Sequence, residues 1–365
     1  MGDEPAIQLL KVRQLNSSGS SFEGVQTSVP SKAVDLDLLS SSQLAAGKLK
    51  MTTQFHPPDG ASLKDKVVVL TGGALGVGAS LVRLLHSSGA HVFFGDILSE
   101  PGQALAGELS SSSSASKVQF VQCDVTSYAD NVKIFKAAYE ACGRVDHAIA
   151  NAGLGEQGNF FDPELTMESV EEEPRKSIKV VDVNLKGELY FARIASVYLR
   201  QPDLNGKGAT ATADKSLTLV SSVAGFREDP GLYVYIASKH GVMGLMRALK
   251  GPLMRSQPHG IRTNAICPWM TRTRLVAGIE DTWHAAGLPS NTPEDVASVI
   301  VGVLAEGKVN GGAMYIEGGR AWNVEAGLLK TRHEWLGEKQ EADLDRGTEL
   351  MGGGSHWVDN KSSQV

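Results

Sequence analysis

The stretch Val67-Val68-Val69-Leu70-Thr71-Gly72-Gly73-Ala74-Leu75-Gly76-Val77-Gly78 decides how this chain is read. Residues 67–70 form a continuous apolar run, as expected for a strand buried on both faces of a parallel sheet. Glycines at 72, 76 and 78 follow at once, at a spacing that lets the turn be tight and the backbone approach a pyrophosphate. A helix beginning inside that loop aims N–H donors and partial positive charge at the same place.

Outward from this unit the same alternation repeats. Helix is expected over 76–88, strand over 91–95, helix over 103–109, strand over 118–122, helix over 129–141 and strand over 145–150. A long helix over 176–199 leads to strand 217–221, helix 234–249 and strand 262–266, then helix 293–305 and strand 313–316. Strands separated by helices at this spacing imply right-handed crossovers, hence an α/β, Rossmann-type doubly wound parallel sheet with helices on both faces. One sheet has one core, so a single catalytic domain is expected over 63–327. Residues 1–62 are rich in Ser, Gly, Gln and Pro and read as a flexible tail, with at most a short helix over 38–49. Residues 328–365 read as a charged, Gly-rich tail of weak order, in which Trp335 and Trp357 could dock on the body or on a partner subunit.

Composition narrows the function. A content of 42% hydrophobic and 21% charged residues excludes disorder throughout. A net charge of −6 with scattered Lys and Arg argues against a nucleic-acid partner. The three cysteines, Cys123, Cys142 and Cys267, have neither Cys-x-x-Cys spacing nor a His cluster, so reduced thiols and no metal are expected. The N-terminus has no signal-peptide stretch, Ala6 stands where myristoylation wants Ser or Thr, and charges or glycines break every long apolar run. The expected address is cytoplasmic.

Asp96 ends the second strand about 18 residues beyond Gly78, where a carboxylate accepts hydrogen bonds from both hydroxyls of an adenosine ribose. It also repels a 2′-phosphate, and the next residues, Ile97 and Leu98, carry no charge to reverse that. The expected cofactor is NAD rather than NADP.

Six motifs in order then place the chain. They are Thr71-Gly72-x-x-x-Gly76-Val77-Gly78, Cys123-Asp124-Val125-Thr126, Asn151-Ala152-Gly153, Val183-Asn184-Leu185-Lys186-Gly187, Ser221-Ser222-Val223-Ala224-Gly225 and Tyr235-Ile236-Ala237-Ser238-Lys239. Together they resemble the short-chain dehydrogenase/reductase family over nearly all of 63–327. The closing segment Tyr315-Ile316-Glu317-Gly318-Gly319-Arg320-Ala321-Trp322 is similar to fungal and 15-hydroxyprostaglandin-dehydrogenase-like members. The resemblance implies that Asp124 and Val125 contact the adenine and that Asn151, with Ala152 and Gly153, stabilises the central strand beside the cofactor. It implies a catalytic tetrad of Asn184, Ser222, Tyr235 and Lys239. Pro268 and Thr273 would meet the nicotinamide amide, with Thr271 close enough to compete. Departures are Trp269 where Gly often follows the proline, Ala150 in place of a first Asn, and Leu75 in the glycine loop.

Chemistry agrees with these positions. Tyr235 and Lys239 are four apart and share a helix face. A phenol of ordinary pKa near 10 is a poor base at neutral pH, but a neighbouring ammonium and a positive nicotinamide favour the phenolate. Tyr235 is thus the expected general base for alcohol oxidation, or acid for ketone reduction. Ser222 precedes it by 13 residues and would hold the substrate oxygen. Lys239 would also anchor the nicotinamide ribose, and Asn184 a relay water. Trp269, Trp283 and Leu288, in a substrate lid over 271–291, could line a bulky apolar pocket. His240 points elsewhere on the helix, and Glu171, Glu172 and Glu173 read as a solvated helix entry.

The expected activity is NAD-dependent oxidation of a secondary alcohol, steroid, polyketide or lipid-like. A ketone reductase and a catalytically silent dinucleotide-binding regulator are the alternatives. A sugar-nucleotide epimerase would need more sequence after Lys239. By resemblance, helices 176–199 and 234–249 would form a homodimer or homotetramer.

Overall fold

The structure, a computed structural model, describes residues 53–58, 63–111, 115–204, 214–251 and 260–350. The helix expected over 38–49 and Trp357 lie outside the described residues. Among the described residues nine strands form one sheet: β1 (Thr53–Phe55), β2 (Val67–Thr71), β3 (His91–Asp96), β4 (Val118–Gln122), β5 (His147–Ala150), β6 (Lys215–Val220), β7 (Ile261–Pro268), β8 (Ala313–Glu317) and β9 (Arg320–Asn323). Their order is β1-β9-β8-β7-β6-β5-β2-β3-β4. Strands β2 to β8 pair in parallel, and only the β8–β9 and β1–β9 pairs are antiparallel. The strand order reverses between β2 and β5, which opens a crevice beyond their carboxyl ends, the place where such sheets bind ligands.

The apolar run of β2 divides between two cores because successive side chains point to opposite faces. Val67 and Val69 join Phe93, Ile134, Phe135, Phe191 and Met243 on one side. Val68 and Leu70 join Phe94, Leu81, Leu85, Val296 and Ile300 on the other. The first layer takes α3 (Tyr128–Cys142), α5 (Gly187–Tyr198) and α6 (Tyr233–Leu249). The second takes α1 (Gly76–Ser87), α2 (Ser99–Ser110) and α8 (Pro293–Ala305). Among the described residues no helix is long and apolar enough to cross a membrane.

Three local features differ from the sequence reading. First, the stretch read as an N-terminal tail contributes β1, whose Phe55 packs on the second core and pairs with Ala321. Three residues are too few to show a period. Second, the long helix expected over 176–199 is interrupted: α4 (Arg175–Val181) runs into a π-helical turn at Asp182–Lys186 before α5 resumes. Third, the stretch read as a C-terminal tail is helical to Leu350, as α10 (Arg332–Leu336) and α11 (Glu338–Leu350). Arg332 joins the two, pairing with Glu341 at 2.8 Å. Trp335 is not docked on the body; it is 63% exposed. Between β7 and α8 lies α7 (Glu280–Ala285), inside the expected lid, and α9 (Val324–Lys330) follows β9.

The amino ends of β2, β5 and β6 are fastened by Asp146, which is 3% exposed. Its carboxylate accepts from Val67 N at 2.8 Å, Arg144 Nε at 3.0 Å and Lys215 Nζ at 2.8 Å. Burial alone would raise its pKa, but the Lys215 charge and the hydrogen bonds outweigh that and hold it at about 2. Next to it, burial pushes His147 down to about 4, with Nδ1 2.8 Å from Ser216 Oγ.

The signs follow by linkage. Between about pH 6.5 and about pH 4 the unfolded chain binds a proton at His147 that the folded chain refuses, so acid lowers stability there. The Asp146 contribution is complete above the unfolded carboxylate range and is lost as pH falls toward about 2. Urea midpoints measured across pH should therefore decline in two stages on acidification, and His147→Asn should flatten the first stage alone. Asp146→Ala, which strands Lys215, should cost about 3–5 kcal/mol at neutral pH.

Candidate active site

The glycine loop is shaped by contacts that tolerate no side chain. Gly72 has φ +68° and Gly76 φ +53°, the left-handed region. A Cβ on Gly78 would lie 1.8 Å from the Gly72 carbonyl oxygen. The loop delivers the chain into α1 with Leu75 at the N-cap, which offers no side-chain acceptor. The first-turn N–H groups of α1, Val77 among them, are thus left to an anionic ligand. Asp96, at the end of β3, accepts from Ala74 N and from Leu98 N, each at 3.0 Å. Both carboxylate oxygens are thereby aimed while lone pairs remain for a diol. This donor and acceptor set fits a dinucleotide.

Across the crevice, Asn151 follows β5 and its Nδ2 donates to the Thr71 and Gly72 carbonyls at 3.2 and 2.9 Å. Thr71 Oγ1 accepts from the backbone N–H of Asn151 at 3.2 Å and of Ala152 at 3.4 Å. Asp124 is occupied locally, its Oδ1 accepting from Thr126 N and Oγ1 at 2.9 and 2.7 Å. Val125 is buried against Gly187. Thr273, not Thr271, reaches the glycine loop: a Cβ on Gly76 would lie 3.3 Å from Thr273 Cγ2. Thr271 is buried and bridges to Asn291. Pro268 ends β7, and Trp269 beyond it stacks edge-on against Trp283 at 5.0 Å. Leu288 is exposed, as is His240, whose Nδ1 lies 3.1 Å from its own helix at Ile236 O. The three glutamates 171–173 are also exposed.

The structure gathers Asn184, Ser222, Tyr235 and Lys239 beside the crevice. Asn184 sits in the π turn, fully buried, with Oδ1 accepting from Leu154 N at 2.7 Å and Nδ2 donating to Leu154 O at 2.8 Å. Gly153 lies between Asn184 and Lys239, its Cβ position 3.4 Å from Asn184 Oδ1 and 3.6 Å from Lys239 Nζ. Lys239 Nζ donates to the Val220 carbonyl at 2.8 Å and stands 5.9 Å from the Tyr235 ring centre. Ser221 Oγ donates to Lys239 O at 3.0 Å, so the turn that presents Ser222 is stitched to α6. Ser222 Oγ accepts from Ala224 N at 3.2 Å.

Two residues of the site went unread in the sequence. Glu156 accepts from Val234 N and Tyr235 N at 3.2 and 2.7 Å, capping the first turn of α6, which holds Tyr235. Glu188, the second residue of α5, is buried 3.6 Å from Lys239 Nζ. Both belong to segments whose local pattern is unremarkable, and only tertiary contact gives them a role.

The comparisons agree with this architecture. The family model described as short chain dehydrogenase matches residues 66–283, and the chain belongs to that family. The short-chain dehydrogenase/reductase ascJ of Acremonium egyptiacum is 33% identical over 279 residues, covering 76% of this chain and 87% of that protein. The 5'-hydroxyaverantin dehydrogenase of Dothistroma septosporum is 32% identical over 241 residues, covering 63% of this chain and 75% of its own. A solved structure of 3-ketoacyl-(acyl-carrier-protein) reductase from Brucella melitensis, complexed with NADH, shares the fold. It has a TM-score of 0.59 and 24% identity, and covers 71% of this chain and 99% of its own. The protein is thus an oxidoreductase of a family that binds nicotinamide dinucleotides.

The Gly72–Gly78 contact makes the loop sensitive to one methyl group. Gly78→Ala should weaken dinucleotide binding at least about tenfold, because overpacking of about 1–3 kcal/mol falls on the backbone that faces the pyrophosphate. Titration of cofactor by quenching of protein fluorescence would measure it.

Proposed function

We propose that this protein oxidises a secondary alcohol to a ketone with NAD, with Tyr235 as the general base. The observation that carries the reading is the convergence of Tyr235, Lys239 and the Ser222 turn on one crevice whose other wall is the glycine loop and Asp96. NAD, when bound, supplies the acceptor for hydride.

Ser222 and Tyr235 hold the substrate oxygen, which fixes the carbinol carbon for transfer. Tyr235 takes the hydroxyl proton as the hydride leaves. The positive charge of Lys239 favours the Tyr235 phenolate, and Lys239 and Asn184 lead the proton toward solvent. Thr71, Gly72, Gly76, Val77 and Gly78 cradle the pyrophosphate, and Asp124 and Val125 flank the adenine. Asn151, Ala152 and Gly153 line the floor, and Pro268 and Thr273 meet the carboxamide. Asp96 receives the ribose hydroxyls and turns away a 2′-phosphate.

A bulky apolar substrate, steroid, polyketide or lipid-like, suits the aromatic rim. Trp269 and Trp283 stand on one side, and Phe161 stacks on Tyr233, two residues before the base, at 4.9 Å. The dehydrogenase of Dothistroma septosporum is named for 5'-hydroxyaverantin, an alcohol by its name. Leu189 and Val197 leave apolar surface exposed on α5, which suits a homodimer or homotetramer built on α5 and α6 in the cytoplasm.

Tyr235→Phe should bind NAD as the parent does and lose about 10²- to 10⁴-fold in turnover of secondary alcohols, followed by absorbance of the reduced cofactor. NAD binding with no turnover of any alcohol or ketone by the parent would instead indicate a regulator. Asp96→Ser should narrow the preference for NAD over NADP by at least about tenfold in kcat/KM, since a charge-to-phosphate repulsion is removed.

A further inference from the structure

Glu188 is 2% exposed, and among the described residues neither of its carboxyl oxygens has a hydrogen-bond partner. A buried carboxylate is ordinarily paired and hydrogen-bonded, because losing water is costly. Among the described residues the one ionisable group facing it is Lys239, whose Nζ lies 3.6 Å from Oε1 and is already donating to the Val220 carbonyl. The rest of its surroundings come from β2, β5, the loops that follow β4 and β5, the π turn and α5, and carry no titratable group: Thr71, Val125, Ala150, Ala152, Val183 and Phe191.

We infer that Glu188 is a positioning residue of this site, whose carboxyl sets, through Lys239, how much positive charge acts on the Tyr235 hydroxyl. The inference rests on the role given above to Tyr235 and Lys239. Burial pushes the Glu188 carboxyl up to about 8, against the opposing pull of Lys239. At neutral pH the carboxyl holds its proton, and the Lys239 charge acts on Tyr235 uncompensated. As pH rises through about 8 the proton leaves, an ion pair forms, and the field favouring the phenolate weakens. Phenolate formation at Tyr235 and proton loss at Glu188 thus oppose each other, which spreads the alkaline titration over a wider range than one group would give.

The test reads Tyr235 directly and needs no turnover. Ultraviolet difference absorbance between each protein and its Tyr235→Phe counterpart, followed as pH rises, reports the phenolate in the full-length chain. The parent is compared with Glu188→Gln and Glu188→Leu; glutamine keeps the size and shape of the side chain and, like the protonated acid, carries no charge, which guards against a variant that fails to fold. Both variants should form the phenolate at lower pH, by about one pH unit or tenfold in phenolate on the rising limb, and with a sharper curve. Midpoints that coincide with the parent's would overturn the inference. So would midpoints that move in opposite directions, since packing rather than charge would then be responsible. Failure to oxidise any alcohol is a separate result that bears on the dehydrogenase reading and leaves this titration readable.

Discussion

Where the strand order reverses, one side chain closes the gap: Asn151, at the end of β5, donates to the carbonyls of Thr71 and Gly72 at the end of β2. These are carbonyls that leave the ladder just where the chain must turn, and a buried polar group without a partner is expensive. Asn151 satisfies them and so fixes the width of the crevice floor. The turn can then be as tight as Gly72 permits, and α1 can start with Gly78 against the Gly72 carbonyl. The helix end is uncapped by any side chain, which is tolerable because a ligand's charge can serve there. Thr273 above the loop and Asp96 beside it both take their positions from this arrangement.

The opposite wall depends on keeping α6 still. Its first turn is capped by Glu156, a carboxylate at the positive end of the helix. Its middle is tied to β6 by Ser221 Oγ and Lys239 Nζ. Asn184 belongs to the same lock: the π turn rotates it out of the regular helical register, where both ends of its amide meet the backbone of Leu154. Interruptions of this kind recur at functional sites because a straight helix would not aim the side chain. The interruption also brings the start of α5, and Glu188 with it, under Lys239.

What was legible in the sequence was whatever has a local cause. Helix 293–305 is found at the expected limits because Thr292 and Asp295 form a capping box with Pro293 in the first turn. Strand 118–122 is found at its expected limits too. The glycine spacing, the Asp96 carboxylate and the Tyr235–Lys239 pair are likewise local patterns. What escaped depends on chain segments far apart. β1 exists because β9 offers it an edge, 268 residues later at the Gln54–Trp322 pair. The π turn has no composition of its own, and Glu156 looks like a loop residue until α6 arrives over it. Glu188 looks like a solvated first-turn glutamate, favoured there by the helix dipole, until the sheet covers it.

That last residue shows how a buried charge is settled by magnitude. At 3.6 Å and an effective dielectric near 20, a carboxylate and an ammonium attract by about 5 kcal/mol. Taking both out of water costs several kcal/mol for each ion. Lys239 recovers part of that by donating to the Val220 carbonyl, whereas Glu188 has no donor to recover anything. The attraction alone therefore does not hold the carboxylate ionised, and a proton on Glu188 is the cheaper arrangement at neutral pH. The pair thus divides its protons so that the positive member, the one adjoining Tyr235, is the one left uncancelled.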